Sequence, residues 1–271
     1  MTDRYAVIGH PISHSKSPLI HKMFAEQTGQ DISYEAIEAP LDGFAATIER
    51  LRAEGYKGCN VTVPFKFEAY RLVSSQQRAR IEAELAKAVN TLSFLDDSQI
   101  FGDNTDGIGL VQDIQQNLKV VLSGKRVLLM GAGGAAYGVA LPLLNAEAKL
   151  VVANRTEDKA FELASRFNAD RITGCGYEAL SGQQFDVVIN ATSSGLSDEL
   201  PPLPPGIFAP GALAYDMMYG RETPFMRFAR EQGAAQVADG LGMLVEQAAE
   251  AFYIWCGVRP DTVPVLAALR G

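Results

Sequence analysis

The sequence is poor in the residues that staple a fold, coordinate a metal or attract nucleic acid. Its three cysteines, Cys59, Cys175 and Cys256, form no pair motif and no metal-ligand spacing. That excludes a disulfide framework and suits a reduced, cytoplasmic protein in which each thiol is a small core residue. His10, His14 and His21 have no matching acidic or cysteine cluster, which argues against a metal site. Lys and Arg number 24 against 32 Asp and Glu, a net charge of −8. The chain therefore lacks the basic field of a general nucleic-acid binder, and any anionic ligand must be held by local donors. Nothing in the opening MTDRYAVIGH is apolar for long enough to read as a signal peptide. Val127 to Ala146 carries no charge, but Gly131, Gly133, Gly134, Gly138 and Pro142 make it a buried strand, turn and helix rather than a membrane span.

What is present is enough for a substantial core. Hydrophobic residues make up 47% and charged residues 21% of 271, a length that suits about two domains at roughly 150 residues each. Tyr5–Gly9, Ile32–Ala39 and Lys57–Val63 read as strands. Between and after them come helices over Ser17–Gly29, with Ser17 as N-cap, over Leu41–Glu54, closed by Gly55, and from Pro64 to Arg71. This βαβα order predicts a mostly parallel sheet covered by helices. Asn90–Phe101 reads as a hairpin turning at Asp96, Asp97 and Ser98. The turn-rich Asp103–Gly109 then opens a helix over Leu110–Leu118 and marks a crossing between domains near Asn104.

A second series follows: strand Arg126–Met130, a Gly-rich turn, helix Ala135–Asn145, strand Lys149–Ala153 and helix Glu157–Phe167. Strands Asp186–Asn190 and Ala212–Asp216 come next, and Pro201–Pro210 reads as a loop. Leu241–Trp255 is a long apolar-periodic helix. The turn itself, Gly131-Ala132-Gly133-Gly134-Ala135-Ala136, matches G-x-G-x-x-A between a strand and a helix. Glycine lets the backbone approach closely, and the helix start offers free N–H groups and positive dipole charge to a pyrophosphate. The next strand ends at Asn154-Arg155-Thr156, where a ribose-reading residue belongs. Asn154 is uncharged, Arg155 can pair with a 2′-phosphate, and Lys159 adds a second cation, so the pattern favours NADP over NAD. The alternative is a solvated arginine at a strand end.

Lys66 stands just inside a helix start, where the positive helix end opposes its ammonium charge, and Asp106 is available as a counter-charge. Such a pair is a reasonable proton donor and acceptor, although spacing does not put the two together and a lone surface lysine fits equally. His14, Ser15 and Ser17 precede a helix start whose hydroxyls and N–H groups suit a carboxylate, beside the purely structural role of Ser17 as a cap.

With these residues in view the chain closely resembles the shikimate dehydrogenase family over essentially its whole length. The resemblance rests on Gly9–Pro18 (GHPISHSKSP), Asn60–Lys66 (NVTVPFK), Ala88–Leu92 (AVNTL), Gly102–Gly107 (GDNTDG) and Gly131–Ala136 (GAGGAA). Asn154–Thr156 (NRT), Asn190–Gly195 (NATSSG), Asp216–Tyr219 (DMMY) and Asp239–Gln247 (DGLGMLVEQ) complete it. It implies two α/β domains: residues 1–104, completed by 241–271, for the substrate, and a Rossmann-like domain at 105–240 for NADP. The C-terminal helix would pack back on the first.

The implied activity is reduction of 3-dehydroshikimate to shikimate with NADPH in aromatic amino-acid biosynthesis. By the same resemblance Ser15, Ser17 and Tyr219 would hold the substrate carboxylate. Thr62, Asn90, Asp106 and Gln247 would bond its ring hydroxyls and carbonyl, and Lys66 would be the general acid/base with Asp106 as partner. Gly131, Ala132, Gly133, Gly134 and Ala135, with Asn154, Arg155, Thr156 and Lys159, would bind NADP, and Met217 and Gly240 would line the nicotinamide pocket. The implied partner is a small molecule, without nucleic acid or membrane, in a monomer or homodimer. Two departures stand out: Lys87 where the family usually has Gly, after a charged stretch over Arg80–Glu84, and Lys159 where it often has Arg. The rival readings are a quinate/shikimate dehydrogenase that accepts NAD, a non-catalytic ligand sensor and, with a poor match at Ser15 and Ser17, a methylenetetrahydrofolate dehydrogenase.

Overall fold

Strand β1 (Asp3–Gly9) buries its last five residues and is paired on both sides, as its near-continuous apolar run requires. It runs parallel to β2 (Ile32–Glu38) and to β3 (Tyr56–Val61). β4 (Thr91–Phe94) is antiparallel to β3, and β5 (Ile100–Asp103) is antiparallel to β4, which gives the order β2-β1-β3-β4-β5. The computed structural model describes residues 2–74, 79–95, 99–167, 170–192 and 199–271. The chain divides into two compact units, Met1–Gly109 with Val245–Gly271, and Leu110–Leu244.

In the first unit, α1 (Ser17–Thr28), α2 (Phe44–Ala53), α3 (Lys66–Ser74) and α4 (Ile81–Ala86) cover this sheet. Ile8, Phe44, Ile48, Leu51, Phe65 and Leu92 are among the side chains of its core. Helix α5 (Asp106–Gln112) follows β5, and α9 (Leu241–Cys256) and α10 (Val263–Arg270) end the chain. The C-terminal segment packs on this unit: Trp255 stacks on Tyr5 with ring centroids 4.6 Å apart, and Phe252 meets Phe24 edge-on at 5.7 Å.

The second unit holds a six-stranded sheet built from β6 (Arg126–Met130), β7 (Lys149–Ala153), β8 (Ile172–Cys175), β9 (Phe185–Asn190), β10 (Phe208–Asp216) and β11 (Gln236–Ala238). Its order is β11-β10-β9-β6-β7-β8, and every pair is parallel. Helices α6 (Gly134–Asn145), α7 (Glu157–Ser165) and α8 (Pro224–Glu231) connect these strands. The sheet grows one way from β6 through β7 to β8 and the other way through β9, so the turn after β6 lies at the switch point where such sheets bind ligands. Among the described residues no helix is long and apolar enough to cross a membrane.

Several local expectations need correction. The expectation that Ser17 caps α1 fails: Lys16 is the cap in helical conformation, and Ser17 is already the first helical residue. Helix α5 starts at Asp106 rather than at Leu110, because the Asn104 side chain accepts the Asp106 N–H at 3.1 Å and caps it. Only Cys59 is buried; Cys175 ends the edge strand β8 and Cys256 ends α9, and both are half-buried. Pro210 lies inside β10, where the pairing with β9 shifts register between Phe208 and Leu213, a place that tolerates the missing donor. The expected hairpin turn at Asp96, Asp97 and Ser98, and the end of the Asn190–Gly195 motif, lie outside the described residues.

Candidate functional site

In the first unit, parallel pairing puts the loops after β1 and β3 side by side at the strands' C-terminal ends. The His10 N–H donates to the Val63 carbonyl and the Thr62 N–H to the Ile8 carbonyl, at 3.0 and 2.9 Å. Gly9 is required here, since a Cβ would stand 2.6 Å from Thr62 Cγ2 and 2.9 Å from Ile12 Cδ1. The first loop carries Ser15 and leads into Ser17, the first residue of α1, whose backbone N–H donates to Ser15 Oγ at 3.3 Å. The second carries Thr62 and then Lys66, the first residue of α3.

Lys66 Nζ lies 2.5 Å from Asp106 Oδ2. The pair is neither sealed nor free, with side chains 28% and 14% exposed. Asp106 opens α5, and its other oxygen, Oδ1, accepts from Asn90 Nδ2 at 2.8 Å. That amide nitrogen also reaches Thr105 Oγ1 at 3.0 Å and Gln247 Oε1 at 3.3 Å. Asn90 Oδ1 in turn accepts the Thr105 N–H at 2.9 Å, and Thr105 Oγ1 donates to the Gln247 carbonyl at 3.1 Å. Lys66, Asn90, Asp106 and Gln247 are thus brought together from α3, the residue before β4, α5 and α9. Asn104 and Thr105, not singled out from the sequence, hold the strand-to-helix corner: Asn104 Nδ2 donates to the Ala88 carbonyl at 3.0 Å. Their signal lay inside the GDNTDG motif, as polar residues too numerous for a simple turn.

In the second unit the turn after β6 has Gly131 at φ 104°, a conformation that other residues resist, and a Cβ there would meet the Ala191 carbonyl at 3.1 Å. Gly133 is the N-cap of α6 without any side-chain cap, and nothing stands within 4 Å of where its Cβ would be. Gly133 and Ala135 are exposed, while Ala132 and Gly134 are half-buried. The result is an open cradle at a helix start, and it fits a dinucleotide pyrophosphate. Asn154 Nδ2 donates to the Thr156 carbonyl at 2.9 Å, which shapes the corner after β7, and Arg155 and Lys159 are exposed beside it. A cavity of about 570 Å³ opens next to Arg155, lined also by Glu157, Gly176, Tyr177 and Leu203.

Met217 and Tyr219 follow β10 on a turn anchored by Asp216, which is fully buried. Asp216 accepts from Thr223 Oγ1 at 2.5 Å, from Asn190 Nδ2 at 3.1 Å and from the Met218 N–H at 2.9 Å. Burial raises the Tyr219 phenol above its usual value. Gly240 packs directly on the Met217 backbone, leaving no room for a Cβ. Asp216 is the anchor of this turn, a role that its place in DMMY does not reveal by itself. Among the described residues, no group of three or more His, Cys, Asp or Glu is arranged to hold a metal ion.

Comparison with known proteins agrees along the chain. Family models described as shikimate dehydrogenase substrate binding domain, shikimate / quinate 5-dehydrogenase and shikimate 5′-dehydrogenase C-terminal domain match residues 7–92, 112–197 and 240–270. The shikimate dehydrogenase (NADP(+)) of Methylobacillus flagellatus is 64% identical over 99% of both chains. The crystal structure of an Ael1 enzyme from Pseudomonas putida superposes with a TM-score of 0.94 at 52% identity, covering 99% of this chain and 98% of that one. A Thermus thermophilus shikimate 5-dehydrogenase, solved in complex with NADP(H) and shikimate, gives a TM-score of 0.86 at 34% identity over 99% of both. At 64% identity from end to end, with its fold shared at that precision, this chain belongs to the shikimate dehydrogenase family.

Proposed function

We propose that this protein is an NADP-dependent shikimate dehydrogenase, reducing 3-dehydroshikimate to shikimate in aromatic amino-acid biosynthesis. The observation that carries the reading is the 2.5 Å contact of Lys66 with Asp106 inside a ring of directional donors. NADPH, when bound, supplies the hydride to the carbonyl carbon. Lys66 Nζ delivers the proton to the carbonyl oxygen, which becomes the new hydroxyl, and Asp106 Oδ2 holds the ammonium in place meanwhile. Asn90, Gln247 and Thr62 bond the ring hydroxyls, and a polyol is recognised by such fixed polar groups because an analogue lacking a hydroxyl leaves them unpaired. Ser15, Ser17 and Tyr219 hold the carboxylate.

Residues Gly131 to Ala135 hold the pyrophosphate with backbone N–H groups, Arg155 and Lys159 hold the 2′-phosphate, and Met217 and Gly240 face the nicotinamide. The net charge of −8 leaves these few cations and donors to overcome a repulsive field. The residues for the substrate, Tyr219 excepted, belong to the first unit and those for the cofactor to the second. The test is a spectrophotometric assay of NADP reduction with shikimate, repeated with NAD and with quinate. Turnover confined to NADP and shikimate is expected. Equal kcat/KM with quinate and NAD would establish the broader quinate/shikimate reading instead, and absence of turnover with every pair would sink the assignment.

A further inference from the structure

Tyr34 lies on the edge strand β2, outside every motif that marks the family. Its ring stacks on the fully buried His21 at 4.0 Å with 5° between the planes. Burial pushes His21 down to about 3, so the stack carries no charge. Burial also holds the Tyr34 phenol well above its ordinary value, which keeps it a donor. That hydroxyl donates to Asn60 Oδ1 at 2.7 Å.

The directions of the next bonds follow from groups that have no choice. Asn60 Nδ2 lies 3.2 Å from the Asn90 carbonyl, which can only accept, so the Asn60 amide must present its oxygen to Tyr34. The same nitrogen donates to Thr91 Oγ1 at 3.1 Å, so the one Thr91 proton goes to Asn90 Oδ1 at 2.9 Å. Asn90 Oδ1 also accepts the Thr105 N–H, which fixes the amide with Nδ2 toward Asp106 Oδ1. Asn60 therefore grips Asn90 twice, by its backbone carbonyl and through Thr91 by its side chain. Both Asn60 and Thr91 are buried, at 6% and 1% exposure, where an unmet partner is costly.

We propose that Tyr34 is a positioning residue for the reaction, fixing the Asn60 amide so that the chain Tyr34–Asn60–Thr91–Asn90 aims a donor at Asp106 and so places Lys66. The inference rests on the roles given above to Lys66 and Asp106. Removal of the hydroxyl takes a donor from Asn60 Oδ1 and loosens Asn90, and it also ends the hydroxyl's side-chain bond with Ser17.

The test is a double-mutant cycle of Tyr34→Phe and Thr91→Val in the full chain, with shikimate and NADP. Tyr34→Phe keeps the stack on His21, and Thr91→Val keeps the shape of the threonine. Each single variant is expected to lower kcat about tenfold, with any rise in KM for shikimate through Asn90 or Ser17 smaller than that fall, and the double variant to lose little more than the worse single. A kcat equal to the parent's, a rise in KM as large as the fall in kcat, or single effects that multiply in the double variant would each overturn the proposal. If Tyr34→Phe melts more than a few degrees below the parent, Thr91→Val alone decides by the same division between kcat and KM. A parent that fails to oxidise shikimate overturns the proposed function and this inference with it; an active parent whose variants match it overturns the inference alone.

Discussion

Lys66 and Asp106 are separated by 40 positions in sequence, and their side chains meet at 2.5 Å. Neither reaches across a loop to do so. Each is the first residue of its helix, α3 and α5, and the two helix starts are tied through Asn90: the neighbouring Val89 N–H donates to the Lys66 carbonyl at 3.0 Å, and Asn90 Nδ2 donates to Asp106 Oδ1. The ion pair is thus a product of backbone placement rather than of two long side chains finding each other. Its geometry is largely fixed before substrate arrives.

Loss of the amine should therefore remove proton transfer without dismantling the site. Lys66→Ala is expected to lower kcat by about a thousandfold, within the usual range for a general acid/base, while the fold persists. Initial rates of NADP reduction, together with a melting curve, check both halves. Turnover of the variant at the parent's rate would remove Lys66 from its assigned role.

Arg155 is expected to act on the cofactor alone. A charge-assisted bidentate contact to phosphate contributes about 1.5–3 kcal/mol, so Arg155→Ala should raise KM for NADP by roughly 10–100-fold and leave KM for NAD nearly unchanged. Lys159→Ala should do the same more weakly, since an ammonium offers a point charge rather than a planar fork. Parallel titrations with the two cofactors decide. Equal weakening toward both would mean that the pair binds something other than the 2′-phosphate.

The parts legible in the sequence were those governed by local rules. Gly131 to Ala136 after an apolar strand, Lys66 after Thr62-Val63-Pro64, and the long apolar period from Leu241 all express their structure within a few residues. What escaped depends on partners far away. The sequence pattern puts the start of this helix, α5, at Leu110 instead of Asp106, because the Asn104 cap reads, in sequence, as one more turn residue. Tyr34, Asn60 and Thr91 form a chain only when β2, β1, β3 and β4 lie side by side, and Asp216 is a turn anchor only when Asn190 and Thr223 reach it. The two antiparallel strands β4 and β5 were visible as a hairpin, but their addition to a parallel sheet was not.

Lys87 holds a conformation that suits another residue. It ends α4 at φ 48°, with its N–H toward the Glu84 carbonyl and the Ala88 N–H toward the Ala83 carbonyl, the double bond pattern of a glycine-type helix end. The lysine side chain is exposed, and nothing but its Cβ resists the left-handed turn. Lys87→Gly should therefore stabilise the protein by about 0.5–1 kcal/mol and raise Tm by roughly 1–4 °C, without altering turnover. A lower Tm would show that the lysine contributes through its side chain.

Asp103, whose side chain is 3% exposed, sits beside the capped corner that presents Asp106. Burial raises its pKa from 3.8 to about 6; Arg80 and the Asn104 N–H oppose the shift, and Glu82 and Glu250 add to it. The native state therefore holds this proton more tightly than the unfolded chain. Stability falls as pH rises from 3.8 through about 6, and the cost is complete above that window. The interval corresponds to about 3 kcal/mol at roughly 1.4 kcal/mol per pH unit. Asp103→Asn keeps an acceptor for the Asn104 N–H, yet never ionises. Relative to the parent, it should gain about 2–3 kcal/mol of unfolding free energy between pH 4 and pH 7, read from urea transitions at the two pH values. A difference between variant and parent that is the same at both would mean that Asp103 does not titrate in the window, and that Arg80 holds it ionised throughout.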